Sequence, residues 1–119
     1  MKLQVKRIYD KAEGGDGFRI LVDRLWPRGV SKENAKIDEW CKEIAPSDAL
    51  RKWFGHVPER WEEFKRKYGR ELDAKGELVR SIAARSRKGR VTLLYGAKDA
   101  AHNNAVALKE YIEARGGKA

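Results

Sequence analysis

Two polar stretches, each following an apolar run, hold most of the residues able to do chemistry. The first is Asp23-Arg24-Leu25-Trp26-Pro27-Arg28-Gly29. The second is Tyr95-Gly96-Ala97-Lys98-Asp99, continued by His102-Asn103-Asn104. Arg24 and Arg28 carry planar forks that match a phosphate or carboxylate, and Lys98 adds a point charge. Asp23 could orient one of these arginines or act as a base. Asp99, Asn103 and Asn104 are of types that cap helices, and adjacent asparagines are unusual at an alanine-rich helix start. A third stretch, Leu50-Arg51-Lys52-Trp53-Phe54-Gly55-His56, contributes His56. Histidine is the side chain that exchanges protons near neutral pH, so His56, His102 and Asp23 are the catalytic candidates. Trp26, Trp53 and Tyr95 are candidate walls for a pocket, with Trp26 placed to stack on a base or sugar.

These residues suit an anion better than a metal. Asp23, Asp99, His56 and His102 have no recognised metal-ligand spacing, and a lone histidine pair falls short of a closed zinc site. No cofactor motif is present, and no cofactor is expected. The single cysteine, Cys41, excludes a disulfide framework and reads as a packing residue.

The elements that must position the site follow from hydrophobic spacing. Leu3, Val5 and Arg7 alternate with polar residues as in a half-exposed strand. Glu13-Gly14-Gly15-Asp16-Gly17 supplies turn material, and 18–23 is a largely apolar run typical of a central strand, with pairing expected to stop near Trp26. Ser31 is a helix N-cap, and Ile37, Trp40, Cys41 and Ile44 fall at i, i+3, i+4 and i+7, which predicts one helical face. Ser47 caps a short helix carrying Leu50, Trp53 and Phe54, and Gly55 ends it. Pro58 starts a helix bearing Trp61, Phe64, Tyr68 and Leu72. Leu78, Val79, Ile82 and Ala83 mark a continuation or a further helix after Gly76. Val91–Tyr95 is the clearest strand. Ala105, Leu108 and Ile112 mark the last helix, which Gly116-Gly117 end.

This order predicts an α/β fold: a small, mostly parallel β-sheet flanked by helices, one compact domain over 1–119. The first two strands are joined by a linker short for a parallel crossover, so a hairpin and a compressed helical turn both stay open. If the strands 18–23 and 91–95 are parallel neighbours, the polar stretches converge beyond their carboxyl ends, where open parallel sheets bind ligands.

The chain has 119 residues, with 27 Lys and Arg against 18 Asp and Glu, a net charge of +9. An anionic partner is expected: a small ligand such as a nucleotide or phosphorylated metabolite, or a nucleic acid. Arg80, Arg85, Arg87, Lys88 and Arg90 form the best nucleic-acid feature, although no nucleic-acid-binding motif accompanies them. The same charges also suit a solvated face and a helix C-terminus. No apolar stretch is long enough to span a membrane, and no signal-peptide core is seen, so no membrane partner and a cytoplasmic location are expected. Binding and catalysis both stay open. The first reading is a small-anion site, with acid–base hydrolysis or transfer as the simplest chemistry. The alternative is a nucleic-acid- or protein-binding module using the basic surface.

Several long strings match one family. DGFRILVDRLWPRGVSKE, EIAPSDALRKWFGH, WEEFKRKYGREL and VTLLYGAKDAAHNNAVALKEYI, with Trp40, resemble the YeaO-like group of the domain of unknown function 488 family. The resemblance implies a compact α/β protein and supplies no activity. It implies a characteristic set made of Arg24, Trp26, Arg28, Trp53, Phe54, His56, Tyr95, Lys98, Asp99, His102 and Asn103. Many broader members carry Cys-His-Arg after the last strand. Here that stretch is His102-Asn103-Asn104, without a cysteine, so the resemblance does not carry any thiol chemistry of those members over to it.

Overall fold

A computed structural model describes residues 1–116; Gly117, one of the two glycines expected to end the last helix, lies outside the described residues. Four strands form one parallel sheet in the order β1-β4-β2-β3: β1 Leu3–Arg7, β2 Phe18–Leu21, β3 Glu39–Trp40 and β4 Val91–Tyr95. The helices are α1 Lys32–Ala35, α2 Asp48–Phe54, α3 Trp61–Asp73, α4 Gly76–Lys88 and α5 Asn104–Gly116. β2 and β4 pair in register, Ile20 beside Leu93 and Leu21 beside Leu94, as their apolar runs require. No helix is long and apolar enough to cross a membrane among the described residues.

The first crossover resolves the open alternatives. A 3₁₀ turn, Gly14–Asp16, joins β1 to β2. Both strands pair parallel with β4, which lies between them, so no hairpin forms. Gly17 leaves the turn at φ 66°, and a Cβ there would collide with the Arg90 carbonyl. Only glycine suits that position.

Alternation along the strands sorts residues to two faces. Leu3, Ile20, Val22, Val91, Leu93 and Tyr95 point into the main core, against Phe54, Phe64, Tyr68, Leu72, Ile82, Leu108 and Ile112 of the helices. Each such side chain, fully buried, contributes about 1.5–3 kcal/mol. Ile8, Leu21 and Leu94 face the other way, under Ala35 and the half-buried Trp26, Ile37 and Trp40.

The second face also buries a polar network. Arg19 is 4% exposed and Asp16 3%. The Arg19 guanidinium contacts Asp16 and donates to the carbonyls of Ala35 at 2.8 Å and Lys36 at 3.0 Å. Thr92 donates to the Asp16 carbonyl at 2.6 Å, and Lys6 lies 3.1 Å from the carboxylate. Burial pushes the Asp16 carboxyl up, but the Glu13 N–H and the Lys6 and Arg19 side chains outweigh it. The carboxyl is held below its ordinary value.

This network explains a correction. The single helix expected through Ile37, Trp40, Cys41 and Ile44 does not form. Ser31 does cap α1, accepting from the Asn34 N–H at 3.1 Å, but the helix stops after one turn, with Lys36 at φ 49°. Arg19 takes the α1 carbonyls, and Asp38 accepts from the Arg19 N–H at 2.8 Å. Glu39–Trp40 then adds to β2, and Cys41 donates its N–H to Leu21. Trp40 and Ile37 therefore face one side of the sheet, while Cys41 and Ile44 enter the main core. Pairing of β2 also ends earlier than Trp26, at Leu21, with a last bond from Val22 to Leu94. Elsewhere local signals hold: Ser47 caps α2, Gly55 ends it at φ 53°, and Pro58 opens a 3₁₀ turn ahead of α3.

Two outcomes follow from this packing. Cys41 is 4% exposed and burial pushes its thiol up, so native alkylation should be at least about tenfold slower than in urea. Mass spectrometry of iodoacetamide-treated protein measures it; equal rates would place the thiol outside the core. Asp16→Ala should cost about 3 kcal/mol in urea unfolding, because Arg19 is left buried without its counter-charge. Since the folded carboxyl titrates low, its stabilisation is present above the ordinary value near 4 and is lost as pH falls through the folded value. The gap between wild type and Asp16→Asn should therefore narrow in acid.

Candidate functional site

β2 and β4 end level with each other, and the chain segments leaving them meet around Asp23. Its Oδ2 accepts from the Gly96 N–H at 2.8 Å, just past β4. Its Oδ1 accepts from Asn104 Nδ2 at 3.2 Å, and the same amide donates to the Val22 carbonyl at 2.9 Å. One carboxylate and one amide thus tie two strand ends to the start of α5. Burial pushes the Asp23 carboxyl up; the Gly96 and Asn104 donors oppose this without cancelling it.

A cleft of about 180 Å³ opens above this tie. Asp23, Asn103 and Asn104 lie along it, with Arg24 and Leu25 from the segment after β2. Ala45 and Pro46 form one wall, Phe54 and Phe64 come from α2 and α3, and Ala97 follows β4. Arg51, His56 and His102 complete the lining. The Ala45–Pro46 wall is pinned from α3 and its end. Glu71 accepts from the Ser47 N–H at 2.8 Å and hydroxyl at 2.6 Å, and Lys75 Nζ donates to Ala45 at 3.1 Å.

The cations of the cleft keep donors to spare. Arg24 Nη2 makes only long contacts to the Ala45 and Pro46 carbonyls, 3.5 and 3.4 Å, and its buried Nε has no hydrogen-bond partner. Asp48 lies 3.7 Å from that Nε and 3.3 Å from Arg51 Nη2, so one exposed carboxylate faces both arginines. His56 follows Gly55 at φ 59°, a left-handed conformation uncommon for a residue with a Cβ. His102 is oriented by Asp99, whose Oδ2 lies 2.9 Å from its Nδ1, and stands edge-on to Trp61 with centroids 5.3 Å apart. That leaves Nε2 as the nitrogen not engaged by Asp99. The His102 contact, with the Ala101 N–H, holds the Asp99 carboxyl below its ordinary value. Asn103 caps α5, accepting from the Val106 N–H at 2.9 Å.

Of the residues singled out in the sequence, Asp23, Arg24, His56, His102, Asn103 and Asn104 come together here. The others stand apart. Trp26 packs on the second face of the sheet, edge-on to Trp40 at 5.3 Å, with its N–H on Val30. Arg28 is exposed, and its carbonyl accepts from Tyr9. Trp53 lies between Lys67 and Arg60, outside the lining. Tyr95 is buried in the main core, and burial pushes its hydroxyl up. Lys98 is exposed on the turn after β4, and Asp99 acts through His102. Arg51 is the polar lining residue that the sequence reading did not single out. It lies three residues before buried Phe54, at the margin of the buried face of α2, and that spacing is the available signal. Among the described residues no cluster of His, Cys, Asp and Glu could hold a metal ion.

Comparison with known proteins places this architecture. The family described as "Inactive DUF488-N3 subclade" matches residues 2–118. "Uncharacterized protein YeaO" of Escherichia coli (strain K12) is 44% identical over 112 residues, covering 94% of this chain and 97% of that protein. "Uncharacterized protein Rv3073c" of Mycobacterium tuberculosis (strain ATCC 25618 / H37Rv) is 36% identical over 116 residues, 96% of each chain. No solved structure matches. With nearly the whole chain covered, this protein belongs to the YeaO-like group of the domain of unknown function 488 family.

Proposed function

We propose that the cleft binds a small anionic ligand, a phosphate or carboxylate group carried on a compact organic body. The observation that carries this reading is the pairing of Arg24 and Arg51 on one cleft, with the buried Arg24 Nε lacking a hydrogen-bond partner. A guanidinium with unused donors is matched by an oxyanion, which takes parallel N–H bonds from such a fork. Asn103 and Asn104 keep the start of α5 in place beside it. The apolar lining of Leu25, Pro46, Phe54 and Ala97 suits the carbon frame of the ligand.

Holding the ligand is favoured over turning it over. The family's description names an inactive subclade. The sole cysteine is in the core and does not line the cleft. If a proton is exchanged with the ligand, His102 is the group placed for it, with Asp99 fixing its ring. No cofactor enters this reading.

Thermal unfolding with inorganic phosphate, acetate and a nucleoside monophosphate tests the proposal. A ligand at a hundred times its dissociation constant should stabilise the protein by about 2.7 kcal/mol. Arg24→Ala should abolish that shift, and Arg51→Ala should weaken binding about tenfold or more, since a hydrogen bond to a charged group is worth about 1.5–3 kcal/mol. Both variants should unfold near the wild-type temperature without ligand. A shift unchanged in Arg24→Ala would remove that residue from the site, and no shift with any of the three anions would count against the reading.

A further inference from the structure

A second concave surface lies at the other end of α5. It is an open groove of about 340 Å³ along α4 and α5, floored by Val79, Ala83 and Ile112 and walled by Arg80, Arg87 and Arg115. Asn104 opens α5 at the cleft, and Arg115 is three turns, about 16 Å, further along the axis. Arg80 and Arg87 are two turns apart, so they leave the same face of α4 about 10 Å from each other.

The cations here differ from those of α3. On α3, Lys65 is matched by Glu62 at 3.3 Å and Glu110 at 3.2 Å and Arg66 by Glu63, while among the described residues Lys67 and Arg70 make no ion pair but share the helix with Glu62, Glu63, Glu71 and Asp73. Residues 80–92 hold Arg80, Arg85, Arg87, Lys88 and Arg90 and no acid. Among the described residues, no carboxylate lies within ion-pair distance of any of these five. Two of them meet neutral groups: Arg85 lies over the Phe18 ring at 3.7 Å, and Arg90 donates to Gln4 at 2.8 Å. Lys2 joins this end of the sheet, its N–H on Ser86 and its carbonyl on Val91. Among the described residues Asp73 is the one carboxylate lining the groove, and it is shared by Arg115 at 3.2 Å and the Tyr111 hydroxyl.

We infer that this groove and the adjoining face of α4 bind the sugar–phosphate backbone of a nucleic acid, without reading its sequence. Arg80 and Arg87, without counter-ions, stand beside Arg115, which shares Asp73, on one concave surface continued by Arg85, Lys88 and Arg90, and such an array fits a regularly spaced polyanion. Base stacking is not part of the interaction. The Tyr111 ring is covered by Arg115 at 3.5 Å, and its other contacts include the Gly69 backbone, where a Cβ would sit 3.7 Å from the ring. A lipid surface is disfavoured, because among the described residues no exposed large hydrophobic one lines the groove. This inference is independent of the cleft.

Fluorescence anisotropy with labelled single-stranded and duplex DNA of about 20 nucleotides, at salt from about 50 to 200 mM, tests it. Affinity should fall with a log–log salt slope of about −2 to −3, as expected when roughly three phosphates are neutralised, and two unrelated sequences should bind alike. The triple variant Arg80→Gln, Arg87→Gln, Arg115→Gln should flatten the slope by about 2. The matched variant Arg66→Gln, Lys67→Gln, Arg70→Gln on α3 removes the same charge and should leave the slope unchanged. Arg24→Ala should also leave it unchanged, which separates this inference from the cleft. If the groove variant loses its native circular dichroism, Arg87→Gln alone should flatten the slope by about 1. Absence of binding at the lowest salt would overturn the inference. So would equal losses from the two triple variants, or groove-dependent binding to anionic vesicles without binding to DNA.

Discussion

Parallel pairing of β2 with β4 brings the ends of both strands level, and Asp23 then closes the gap between them by accepting from Gly96 and Asn104. The approach is close: a Cβ at Gly96 would stand 3.2 Å from Asp23 Oδ2, so the absence of a side chain there makes room for the carboxylate. The tie costs something, since burial pushes Asp23 toward its neutral form. A carboxylate held against its burial cost, at a strand end facing a cleft, is where perturbed groups gather at functional sites. Arg24 follows directly in the chain, and its position over the Ala45–Pro46 wall depends on where Asp23 is fixed.

The opposite face of the sheet is built differently, and that difference shapes the chain between β2 and α2. Four helices cover the main core, but among the described residues no long helix covers the second face. Arg19 projects there from the middle of β2, and Asp16, Lys6 and Thr92 surround it. A buried guanidinium needs a partner at each nitrogen; Asp16 takes Nη1, and the carbonyls of Ala35 and Lys36 take Nη2 and Nε. Satisfying Arg19 is what stops α1 after one turn and turns the chain back as β3. Trp26 and Trp40 then pack edge-on over Leu21 and Leu94, closing the face with aromatic area in place of a helix.

Much of this arrangement is legible in the sequence, and the exceptions share a cause. The neighbouring strands 18–21 and 91–95 follow from two apolar runs with helical spacing between them. Ser31, Ser47 and Gly55 announce their caps because capping is a local interaction. The gathering of Asp23, Arg24 and His102 follows from strand direction alone. The segment 37–44 misleads because its i, i+3, i+4, i+7 pattern arises here from a strand and a turn that send Trp40 and Cys41 to opposite faces. What decides between the two is Arg19, distant in sequence and hidden inside an otherwise apolar run. Trp26 misleads for a similar reason: its charged neighbours suggest a pocket, while its ring is taken by Trp40.

The cleft also carries a balance of charge that bears on what it can do. Asp48, exposed at the start of α2, faces Arg24 and Arg51 together, so part of their field is offset. Water screens that exposed carboxylate, so the offset to the two guanidinium charges is small. Inside, His102 is fixed by Asp99 and by the edge of Trp61, and Asn103 and Asn104 are fixed by their caps and ties. Side chains held in this way have little rotamer freedom left to lose. The chain's one thiol is sealed in the core. What the cleft presents is therefore a set of fixed hydrogen-bonding side chains, with the thiol placed elsewhere in the fold.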